Sequence, residues 1–179
     1  MADTSDPRLW IAQFTFAGIC SAIIFVQLLP LDLRPAAWVA PDMLLAVTIA
    51  WVSRRPTYAP VTTIVLVFFL ADLLFQRPPG LWAGLVLIMT EVLRARNAGI
   101  RNLPLMAEWA MAAVAMAAVT IGYRLVLSIV MVPQPSLGLG LLQLIVTIVC
   151  YPLIVLLAHA IFGITRPAPG EVNALGHRL

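Results

Sequence analysis

The residues of this chain that could do chemistry are few: eight acids, eleven arginines with no lysine, two histidines and two cysteines among 179 residues. Their spacing excludes more than it offers. His159 stands alone in an apolar run and His177 lies near the C-terminus, so no H-x-x-x-H or C-x-x-C ligand pair exists. Cys20 and Cys150 sit inside apolar runs, which fits neither a disulfide framework nor a metal site and leaves both as small core residues. Neither G-x-S-x-G nor G-x-x-x-x-G-K-[ST] occurs, which removes the usual signals of a nucleophile elbow and a phosphate loop. No catalytic residue, metal ligand or cofactor is therefore assigned.

What remains is a set of charges inside apolar stretches: Asp42, Asp72 and Arg124. A charge at membrane depth is costly and is usually paired, solvated or functional. At 1.5 Å per helical residue, Arg124 lies roughly 24 Å along its helix from Glu108, Asp72 roughly 21 Å from Tyr58, and Asp42 about 18 Å from Arg54. Similar depths allow Arg124 to pair with Asp72, Asp42 or both through charge-assisted hydrogen bonds. Separate snorkelling to the headgroups and a small-molecule or ion pocket are the alternatives. Glu91 and Arg94, three apart, are expected to pair locally. Glu108 is read as a first-turn acid that suits the helix dipole.

The elements that must position these residues follow from the hydropathy. The chain is 62% hydrophobic and 11% charged, with a mean hydropathy of +1.00; an ordinary soluble domain is about 25% charged. Spans of about 20 residues are needed to cross a hydrocarbon core. The apolar runs predict one all-α transmembrane domain over 1–179, with spans at about 9–31, 35–53, 58–75, 79–95, 104–132 and 137–164. None alternates as barrel strands do. Pro41 interrupts the second run near its start. Arg54-Arg55-Pro56, Gln76-Arg77-Pro78-Pro79-Gly80 and Pro133-Gln134-Pro135-Ser136 close others.

By this topology Arg8, Arg54, Arg55, Arg94, Arg96, Arg101, Arg166 and Arg178 share one side, against Arg34 and Arg77 on the other. The positive-inside rule then puts both termini in the cytoplasm. Trp10, Trp38, Trp82 and Trp109 lie near span ends, as interfacial aromatics do. The net charge of +3 and pI near 9.4 reflect topology-setting arginines, so no nucleic-acid partner is expected.

Three stretches resemble the MreD family of rod shape-determining membrane proteins. One is Pro41-Asp42, an apolar run, Trp51 and Arg54-Arg55-Pro56. Another is Asp72-Leu73-Leu74-Phe75 followed by Pro79-Gly80-Leu81. The last is Tyr151-Pro152. The helix before Asp72 reads Phe68-Phe69-Leu70-Ala71, where members of the family often carry glycine. The resemblance implies a fold like that of the substrate-binding S-components of vitamin transporters. It also implies a non-enzymatic subunit of the elongation complex in the bacterial inner membrane. Its implied partners are MreC directly, and MreB, RodA and its transpeptidase indirectly, in peptidoglycan synthesis and cell shape. A rival from another class is an S-component that captures a vitamin or metal. Surplus apolar helix faces are compatible with a homodimer, and lipid covers them equally well.

Overall fold

Long apolar runs without strand-like alternation dictate helices, and the prolines and capping residues between them decide where each begins. The computed structural model describes residues 7–29, 40–100, 105–134 and 136–162. They form α1 (Pro7–Leu28), α2 (Met43–Arg54), a 3-10 turn (Pro56–Tyr58), α3 (Val61–Leu74), α4 (Leu81–Ile100), α5 (Leu105–Ile129) and α6 (Leu137–Phe162). There is no strand among the described residues.

Among the described residues six helices match the six predicted runs, and three of them are long and apolar enough to cross a membrane: Leu9–Leu28 of α1, α5, and Leu137–Ile161 of α6. The expectation of six full spans is corrected at the other three. The run at 35–53 yields a helix of 12 residues, about 18 Å long, and the run at 58–75 one of 14 residues, about 21 Å long. The run at 79–95 becomes the 20-residue α4, which carries Glu91, Arg94 and Arg96.

Local chemistry explains the shortening. The Asp42 side chain accepts the Leu45 amide at 3.0 Å and caps α2. Pro56 lacks an amide and disfavours helix at Arg55, so α2 stops there. α3 and α5 each end in a paired-hydrogen-bond reversal. Arg77 N donates to Asp72 O and Gln76 N to Leu73 O; Val132 N donates to Leu127 O and Met131 N to Ser128 O. The left-handed residue of each reversal is not glycine but Gln76 (φ 54°) and Met131 (φ 57°).

Every residue from Leu44 to Val52 is buried, so α2 is the central helix, packed among α1, α4, α5 and α6. A helix apolar on all faces belongs inside a bundle. The Trp51 ring lies tilted against that of Phe16 on α1, with centroids 6.1 Å apart. Cys20 is fully buried and Cys150 partly so, as core residues. Large apolar side chains point outward on α1, α3 and α6, Phe14, Leu66 and Leu142 among them, where lipid is the fitting surroundings. Arg34, Trp38, Arg101, Arg166, His177 and Arg178 lie outside the described residues, as does the side chain of Arg8.

Candidate functional site

Because α2 begins late, its N-terminus meets α6 in mid-course. The Asp42 amide donates to Thr147 Oγ1 at 2.9 Å, and Gln143 Nε2 donates to Ala40 O. Thr147 is ten residues into α6, roughly 15 Å from that helix's start. The space beyond the end of α2 is a cleft of about 590 Å³, walled by α4, α5, α6 and their connecting turns.

The three charges of the apolar runs divide between two places. Asp42 and Arg124 both line the cleft. Asp72 is fully buried and turned to α4, where its Oδ2 accepts the Gly80 and Ala83 amides at 3.0 and 3.2 Å. It caps the next helix across the turn, and its charge suits the positive end of α4. Its Oδ1 is buried without a hydrogen-bond donor among the described residues. Gly80, following Pro79, holds φ at +83°, a conformation open to glycine and strained for other residues.

Arg77 lies close enough for its field to reach both Asp42 and Asp72. Sequence reasoning placed Arg77 only as a loop charge. Its guanidinium lies 5.0 Å from the Trp82 ring centroid and 5.4 Å from that of Phe75, and it lines the cleft. Arg124 is pressed against the first turn of α6: a Cβ added at Gly140 would come within 2.6 Å of Arg124 Nη1. Gly140 thus leaves the space that this guanidinium occupies.

A second polar centre lies on the other side of α2. Arg54 donates Nε to Glu108 Oε1 and Nη2 to Glu108 Oε2, both at 3.0 Å, and the Tyr151 hydroxyl donates to Glu108 Oε1 at 3.2 Å. This bidentate pair joins α2, α5 and α6, with Glu108 2% exposed. Neither residue was foreseen in that role; an acid within Leu-Met-Ala-Glu-Trp-Ala was the available signal. Arg55 sits over the Tyr58 ring at 5.9 Å, beside Pro56. The expected Glu91–Arg94 pair forms at 2.9 Å. Arg94 also donates to the carbonyls of Pro56 and Ala59, tying α4 to the short turn.

Pro152 has the clearest local consequence. It cannot donate to the carbonyl four residues back, that of Ile148. Trp109 Nε1 on α5 donates to that carbonyl instead, at 2.9 Å. No cluster of three or more candidate metal ligands exists among the described residues. Comparisons with family models, curated proteins and solved structures return no match.

Proposed function

We propose that this chain is a non-enzymatic membrane subunit of the bacterial elongation machinery. In this reading it binds MreC and, through it, helps organise MreB, RodA and its transpeptidase for peptidoglycan synthesis. The observation that carries the reading is the use made of the residues shared with the MreD pattern. Asp42 caps α2, Trp51 packs on Phe16, Arg54 grips Glu108, Asp72 and Gly80 lock α3 to α4, and Pro152 frees a carbonyl for Trp109. Residues engaged in this way hold helices together. What such a body offers its surroundings is apolar helix faces and the grooves between them, which take other membrane helices by close packing. In this reading the chain sits in the bacterial inner membrane, alone or as a homodimer; three crossings, an odd number, would put its termini on opposite sides, not both in the cytoplasm.

The test is affinity purification of the tagged chain from its own membranes after mild crosslinking, with mass spectrometry of proteins and small molecules. MreC and the cell-wall synthases are expected. Their absence after crosslinking sinks the reading. A capture subunit of a vitamin or metal transporter is the second reading, favoured by the cleft, whose volume falls in the range of small-molecule sites, roughly 300–1,000 Å³. Recovery of an energising ATPase module with a bound vitamin would establish that alternative.

A further inference from the structure

Three polar groups of the cleft lining have no hydrogen-bond partner among the described residues. The Arg77 guanidinium lies over the Phe75 and Trp82 rings, and none of its five N–H donors is taken up by a described residue. The Tyr123 hydroxyl and the Gln76 side-chain amide are in the same position. In a dry interior each such group would bear its full desolvation cost. The charges around the cleft balance, Asp42 and Asp72 against Arg77 and Arg124, so these groups need hydration rather than a counter-ion. Non-helical backbone before α2, at Ala40 and Asp42, lines the cleft as well. At membrane depth such backbone is tolerated where it is buried in protein or lines a water-filled cavity. The volume of about 590 Å³ is far above the roughly 30 Å³ that one water takes in the liquid.

We propose that the cleft is a water-filled vestibule, continuous with solvent at the end of the molecule that carries the α3–α4 and α5–α6 turns, through which small polar molecules reach the start of α2. Both turns contribute to its lining, Gln76 and Arg77 from one and Pro133 and Gln134 from the other, which gives the direction of its mouth. The outer faces of the same helices are apolar: Ile121, next to Thr120 on α5, and Ile145, next to Leu144 on α6, are each more than half exposed. Thr120 and Leu144 line the cleft, roughly 14 Å from the end of α5 and roughly 10 Å from the start of α6. Each adjacent pair therefore samples one depth on two faces. The inference concerns this chain alone and holds whichever proteins it binds.

The experiment is cysteine accessibility in freeze–thawed membranes that hold the full chain and are open to reagent on both faces. Thr120→Cys, Ile121→Cys, Leu144→Cys and Ile145→Cys are each treated with a sulfonated, membrane-impermeant methanethiosulfonate, and modification at each position is followed by mass spectrometry. Cys20 and Cys150 of the parent chain set the background. A thiol reacts as its thiolate, which forms in water and not in lipid, so positions 120 and 144 should react roughly tenfold or more faster than 121 and 145. The two pairs lie on different helices, so a variant that fails to fold leaves the other pair to decide. Equal rates within either folded pair, whether fast or slow, or faster reaction at the outward position, would overturn the vestibule.

Discussion

At the scale of single residues, the polar groups of this chain act mainly on one another. Glu108 is 2% exposed and held by both Arg54 nitrogens, so truncating one partner strands the other charge in an apolar interior. Glu108→Leu is expected to destabilise by about 3 kcal/mol, while Arg54→Leu combined with Glu108→Leu is expected to lose less than either single change, since no buried charge is left behind. Melting temperatures of the four proteins in one detergent check this. Asp72 and Arg124 give a second case. Because the Asp72 carboxylate is engaged with the α4 amides, Asp72→Leu and Arg124→Leu should add to within about 0.5 kcal/mol. A coupling well above that in a double-mutant cycle would restore a direct Asp72–Arg124 pair.

At the scale of elements, the helix ends carry the information. Met131 holds φ at 57° in the reversal after α5 and is almost fully exposed, so its side chain contributes little to packing. Met131→Gly relieves the left-handed strain, and after the greater chain entropy of glycine it should stabilise by roughly 0.5–1 kcal/mol. Gly80→Ala should do the reverse at φ +83°. In α6, Trp109→Phe leaves the Ile148 carbonyl without its donor and is expected to lose about 1 kcal/mol. In a Pro152→Ala background α6 supplies its own amide to that carbonyl, so the same change should lose less. Equal losses in the two backgrounds would show that the indole hydrogen bond does not compensate for the proline.

At the scale of the whole molecule, a short central helix sets the architecture. Backbone ends at membrane depth are tolerated when protein groups meet them. Thr147 and Gln143 do so at the start of α2, and Arg94 does so at the turn after it. Cysteines placed from Leu44 to Val52 should therefore escape a lipid-phase label that modifies Leu66 and Leu142 positions readily, a contrast absent if α2 were a lipid-facing span. Much of this body was legible along the chain. Apolar runs set the number and order of the helices, because burying or lipid-solvating such runs admits little else. The prolines marked where helices stop, because a missing amide acts over three or four residues, whereas Asp42, read as a charge at depth within a run from 35, turned out to cap a helix that begins at Met43. The Glu91–Arg94 pair, being one helical turn apart, was equally readable. Tertiary structure alone decided the rest: that α2 is central and too short to cross, that Asp72 serves α4, that Gly140 leaves room for Arg124, and that Arg54 meets Glu108 across 54 positions. Local chemistry acts between neighbours in sequence, whereas these contacts depend on the packing register of helices that the chain brings together only on folding.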